Sequence, residues 1–139
     1  MQIEKMKWIT REIVQANPLK VFVFGDNLER VGMGGQAGAM RGEPNAIGIP
    51  TKKTPSMDEA AFFTDDEFEE NCKAIDDALM DAWQLWLDYI ATDSTADVTI
   101  VIPSDGLGTG LAELDKRAPR TFAYLEQCLR DLENQDESY

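Results

Sequence analysis

Four consecutive apolar residues, Val21-Phe22-Val23-Phe24, run directly into Gly25-Asp26-Asn27, and nothing else in the chain restricts its fold as much. All four are β-branched or aromatic, which favours a strand. A strand with apolar side chains on both faces has to be covered by a layer on each side, as in parallel sheets. A weaker run, Ala46-Ile47-Gly48-Ile49, is interrupted by Gly48 and ends in Pro50-Thr51-Lys52-Lys53. A third, Val98 to Ile102, leads into Pro103 and the loop Ser104-Asp105-Gly106-Leu107-Gly108-Thr109-Gly110. Alternation of such strands with helical stretches predicts an α/β domain of three layers, a mixed, largely parallel central sheet flanked by helices. Loops that leave one edge of such a sheet are where α/β proteins build ligand crevices.

The 139 residues fit a single domain, 1–139, large enough to bury roughly two thirds of its unfolded surface. Thr10 is the expected N-cap of a short helix over residues 11–16, ended by Asn17-Pro18. Thr64-Asp65-Asp66-Glu67 has capping-box spacing and predicts a long helix. Its apolar stripe is Phe68, Cys72, Ile75, Leu79, Trp83, Trp86 and Ile90, which assigns both tryptophans to the core or a partner. Residues 93–97 form the turn into the next strand, and residues 111–115 are expected to form a helical turn. Pro119 suits a helix start, with Ala118, Phe122, Leu125, Leu129 and Leu132 as the buried stripe. Residues 133–139 are expected to be a frayed tail.

The chain has 26 acidic and 13 basic residues, no histidine and a net charge of −13. Residues 58–97 hold thirteen acids and one base, Lys73, whereas residues 20–53 hold five bases and three acids. The acidic cluster thus reads largely as the solvated side of the long helix and its capping turn, and the field of the whole chain disfavours nonspecific duplex binding. Without histidine there is no Ser-His or Cys-His catalysis, and no metal or cofactor is called for. Cys72 and Cys128 lie in helical patterns and read as reduced thiols. No stretch is apolar enough to span a membrane or to act as a signal core, so the expected location is cytoplasmic, in the host cytoplasm for a phage-encoded chain.

Gly32, Gly34, Gly35 and Gly38 crowd the loop after the first strand. Such a loop lets backbone N–H groups approach phosphate oxygens closely. It continues through Gln36 and Ala37 to Arg41, which contacts the same phosphate or else caps a helix end. Two glycine-rich loops, each directly after a buried strand, point to a phosphate or diphosphate. No Gly-Lys-Ser/Thr follows, so this is not a P-loop, and Ala37 breaks the dinucleotide fingerprint Gly-x-Gly-x-x-Gly. Asn27 either bonds a ribose hydroxyl or closes an Asx-turn, and Asp26 is a candidate to position a water. Lys52 and Lys53 point to opposite faces if the strand continues. Lys52, desolvated in the crevice, is then either an amine nucleophile or a phosphate contact.

Together these residues resemble a macrodomain, the fold that binds ADP-ribose. Asn27, the loop Gly32-Met33-Gly34-Gly35-Gln36-Ala37-Gly38-Ala39-Met40 and the loop Ile102 to Gly110 carry the resemblance, over roughly residues 8–130. The pattern Phe-Gly-Asp-Asn followed by Pro-Thr-Lys is similar to that of compact macrodomain-like proteins of phages and bacteria. Ile49-Pro50-Thr51-Lys52 is similar to the branch that removes ADP-ribose from carboxylates or DNA bases, in which a lysine attacks the ribose and an aspartate assists. The resemblance implies ligand contacts at Gly25, Asn27, Gly32, Gly34, Gly35, Gln36, Ala37, Arg41, Thr51, Gly106, Leu107, Gly108, Thr109 and Gly110. It implies Lys52 as nucleophile, with Asp26, Asp105 or Glu113 as acid-base. Three positions depart from the pattern. Ala112 and Ala37 stand where the two hydrolytic branches carry aspartate, and Trp8, expected to be buried, stands where many macrodomains carry the aspartate that holds adenine.

The expected function is therefore binding of an ADP-ribose-like nucleotide between two glycine-rich loops. The alternatives are an ADP-ribosyl glycohydrolase acting on modified DNA or protein through Lys52, and an acidic interaction or anti-defence protein, or a nucleotide sponge, without catalysis.

Overall fold

The computed structural model describes residues 2–93, 95 and 97–134. Strands β1 (Gln2–Met6), β2 (Val21–Asn27), β3 (Ala46–Lys52) and β4 (Thr99–Pro103) form one sheet in the order β1-β4-β2-β3. Every neighbouring pair is parallel, so the expected mixed sheet is wholly parallel in fact. The antiparallel element is an isolated bridge between Lys52 and Phe62.

Side-chain alternation along the strands creates two cores. Val21 and Val23, with Ile100 and Ile102, face α3 (Phe68–Thr92) and α5 (Pro119–Asn134), meeting Ile75, Ala78 and Leu125. Phe22, Phe24 and Val101 face the other way, onto Val14 of α1 (Arg11–Ala16) and Ala37 and Met40 of α2 (Ala37–Met40). Helices on both faces of a four-stranded parallel sheet give the three-layer arrangement that the four apolar residues of β2 require. Among the described residues no helix is long and apolar enough to cross a membrane.

Several local expectations are corrected. Strand β1 was not anticipated, because its sequence Gln-Ile-Glu-Lys-Met is mostly polar and only Ile3 and Met6 pack, partly buried, against the two cores. The buried line of α3 is Asn71, Ile75, Ala78 and Ala82, while Leu79, Trp83 and Trp86 pack half-buried at its flank. Small alanines on that line let the helix lie close to the sheet, and the larger side chains wrap around its shoulder. Thr64 makes no side-chain cap bond; residues 65–67 form a 3-10 turn ahead of α3. Asp65 instead caps α5, accepting from the N–H groups of Arg120 and Thr121 at 2.9 and 3.0 Å and from Thr121 Oγ1 at 3.0 Å. The helical turn expected at 111–115 is α4, Leu114–Arg117. By contrast Thr10 caps α1 as expected, accepting from Ile13 N at 3.2 Å, and Pro119 opens α5. Cys72 and Cys128 are unbridged. The turn at 93–97 is described only in part. Of the tail expected to fray, residues 133 and 134 are the end of α5, and 135–139 lie outside the described residues.

Candidate functional site

The site lies where two central strands part. Between β2 and β4 the register holds only Val21 with Ile100 and Phe22 with Val101. The chain leaving β2 then turns to α2 on one face, and the chain leaving β4 turns to α4 and α5 on the other. A crevice between diverging connections at the carboxyl ends of parallel strands is the standard ligand position of open α/β sheets.

A cavity of about 330 Å³ occupies this crevice. It is bordered by every ligand-contact candidate of the sequence, from Gly25 and Asn27 to Thr109 and Gly110, and by Asp26, Lys52 and Asp105. Glu113 is not among its lining residues. Pro103 and Ala112 also border it, and Lys7, Val31, Pro55 and Leu111, which were not anticipated, complete the wall. Lys7 was missed along with β1, whose carboxyl end is tied to the second loop by a bond from Ser104 N to Met6 O at 3.0 Å. At Gly108 φ is +84°, and a Cβ there would lie 2.9 Å from Leu114 Cβ, so only glycine lets this loop fold down onto α4.

Both loops leave backbone donors unused. Among the described residues, no amide from 31 to 36 and none from 107 to 112 donates to a backbone acceptor, whereas the flanking amides of Arg30, Gly38, Gly106 and Glu113 do. All residues of the two runs except Met33 line one cavity, and a concavity with unpaired N–H groups suits anions. Helix α2 has only four residues, so its dipole adds little to what the loop amides offer.

The first loop is braced from beneath. The Asp26 side chain is 2% exposed and takes Arg41 on one oxygen at 2.5 Å and Arg30 on the other at 3.3 Å. Arg41 also donates from Nε to Gly32 O at 2.6 Å and from Nη2 to Val31 O at 3.2 Å, and Arg30 donates to Gly48 O. Arg41 therefore fixes the loop's carbonyls, a role the sequence did not suggest, and its guanidinium is largely committed. Asp26, engaged on both oxygens, is a structural counter-ion. Gly48, which looked like a flaw in β3, makes room for it: a Cβ there would come within 2.7 Å of Asp26 Cβ.

Two acceptors in the cavity wall have no partner. Asn27 is buried and donates from Nδ2 to Val31 O at 2.7 Å, closing the loop, while its Oδ1 bonds nothing. Gln36 Oε1 is likewise buried and unpaired. A buried acceptor without a donor costs about 1–3 kcal/mol; both side chains border the cavity, but these two oxygens are themselves covered.

A bulge between Asp26 and Asn27 brings Asn27 opposite Lys52. Lys52 is only 7% exposed, whereas Lys53 turns outward to Glu67 at 2.5 Å. Lys52 Nζ donates to Ser56 O at 2.6 Å and lies 4.6 Å from the centre of the Phe62 ring, over which Arg117 also sits at 3.7 Å. Burial, and after it the Arg117 charge, hold the ammonium below the ordinary lysine range against the opposing pull of Glu113. Asp105 is exposed at the rim. Trp8, expected in the core, is 77% exposed beside Lys7, whose Nζ is 5.5 Å from its ring.

Comparison with curated proteins and with solved structures finds no match. Residues 4–128 match one family model, and the chain belongs to that family, described as a family of unknown function (DUF7831).

Proposed function

We propose that the crevice binds ADP-ribose or a closely related diphosphate nucleotide, as a compact macrodomain-like module. The observation that carries this reading is the pair of unpaired amide runs, 31–36 and 107–112, on one cavity. A diphosphate offers acceptors to both loops at once, and the polar side chains of Asn27 and Gln36 border the same cavity. Isothermal titration with ADP-ribose is the test. Saturable binding supports the reading, and the absence of both heat and a thermal shift at millimolar ligand would sink it.

A second reading, glycohydrolysis of an ADP-ribosyl group, is favoured by the buried Lys52 in the cavity wall. Its unprotonated amine would add to the anomeric carbon as the bond from that carbon to the acceptor breaks. The acceptor leaves with the electron pair and takes a proton, and water then releases the ribose from the lysine. Nζ must first leave the Ser56 carbonyl. Lys52→Ala should retain ADP-ribose binding and lose all turnover; a variant as active as the parent would remove this reading and leave the first intact.

A further inference from the structure

Lys52 shares an aromatic ring with a second cation, and several elements hold the pair together. The antiparallel bridge between Lys52 and Phe62, with the bond from Lys53 N to Ala61 O at 2.8 Å, pins Phe62 beside the end of β3. Phe62 is buried. Arg117, in the last turn of α4, lays its guanidinium 3.7 Å from the ring centre, and Lys52 Nζ is 4.6 Å from the same centre. Glu59, 2.9 Å from Nη1, and Glu113, 3.7 Å from Nε, hold Arg117 in place. Neither Phe62 nor Arg117 borders the cavity. The guanidinium therefore acts on Lys52 from behind, away from the side a ligand would occupy.

The two cations are unequal. A guanidinium keeps its charge at any working pH, whereas a partly desolvated lysine gives up its proton readily. The strain of placing both on one ring therefore falls on Lys52. Of the charged groups around it, burial acts together with Arg117, and Glu113 pulls the other way. Glu59 is exposed and engaged with Arg117, Lys53 is turned outward to Glu67, and Asp26 is bound by Arg30 and Arg41. Lys7 and Asp105 border the same cavity. We infer, resting on the glycohydrolase reading, that Arg117 is the positioning residue of Lys52: its fixed charge on the shared Phe62 ring favours the neutral amine that attacks the ribose. Glu113 then serves by anchoring Arg117, not as an acid-base at a cavity it does not border.

The test is an NMR titration of the lysine side chains against pH in the ligand-free chain, with the Lys52 signal assigned by its loss in Lys52→Met. Arg117→Met keeps the aliphatic packing on Phe62 and removes the charge. The Lys52 midpoint should then rise toward the ordinary lysine value, and Arg117→Lys should bring it back down. Glu113→Gln, which removes the opposing charge, should lower it below that of the parent. An unmoved midpoint in Arg117→Met overturns the inference; if that variant does not fold, an unmoved midpoint in Glu113→Gln does so. Hydrolysis of a peptide carrying an ADP-ribosylated glutamate and of an oligonucleotide carrying an ADP-ribosylated base gives the second readout. In Arg117→Met the acid limb of the rate profile should move up with the midpoint while ADP-ribose affinity stays that of the parent. A limb that stays in place while the midpoint moves overturns the inference. A parent that cuts neither probe sinks the glycohydrolase reading and with it the role in attack, while the midpoints separately decide whether Arg117 governs the charge of Lys52.

Discussion

Asp26 shows how a single residue shapes the site without reacting in it. Its two arginines reach from the glycine loop, and one of them holds the carbonyls of Val31 and Gly32. Asp26→Asn removes the countercharge and should cost about 1–3 kcal/mol, measured by urea unfolding, and it should weaken ADP-ribose binding by loosening the loop. Gly48→Ala probes the same contact from the other strand. Forcing a methyl against the Asp26 side chain should cost about 1–3 kcal/mol, although alanine is normally the better strand residue. At Lys52 the sign runs the other way. The folded state holds the ammonium below its ordinary pKa, so below that value the charge opposes folding. Lys52→Met should therefore be more stable than the parent at neutral pH. The difference should vanish above the unfolded lysine pKa of about 10.4, as a series of unfolding midpoints against pH would show.

At the scale of elements, the cap of α5 is the sharpest prediction. Burial pushes the Asp65 carboxyl up, but the Arg120 and Thr121 bonds and the Arg120 charge outweigh it, and the balance lies below the ordinary range. Its contribution is then present above the unfolded pKa of about 4 and lost as pH falls through the folded value. Asp65→Ala should cost about 1 kcal/mol at pH 7 and progressively less in acid, by urea midpoint. The sequence contained this cap but addressed it to the wrong helix, because Thr-x-x-Glu spacing is local and the contact with Thr121 spans 56 residues. What was legible followed from short-range rules: the fully buried β2, the Thr10 cap and the Pro119 start. The residues of both glycine loops were legible too, since strand ends and glycines mark them directly. The polar edge strand β1, the alanine line of α3 and the Asp26–Arg41 brace were not, because each depends on a neighbour brought in by the fold. Trp8 was misjudged for the same reason: hydrophobicity alone does not reveal a residue projected from the end of an edge strand.

For the molecule as a whole, the acidity and the site are separate features. Helix α3 carries six carboxylates and one lysine, whereas the cavity is walled by two glycine-rich loops, with Arg41 already paired to Asp26. Ligand binding to the folded state alone should add about 2.7 kcal/mol at a hundred times Kd, raising the thermal midpoint by roughly 10 °C. The central claim is that two runs of free amides hold one diphosphate, and amide-resolved NMR titration with ADP-ribose reads those amides individually. The account predicts saturable shifts concentrated in residues 31–36 and 107–112, with the Asn27 and Gln36 side-chain amides following. Shifts centred on α3, or no shifts at millimolar ligand, would contradict it.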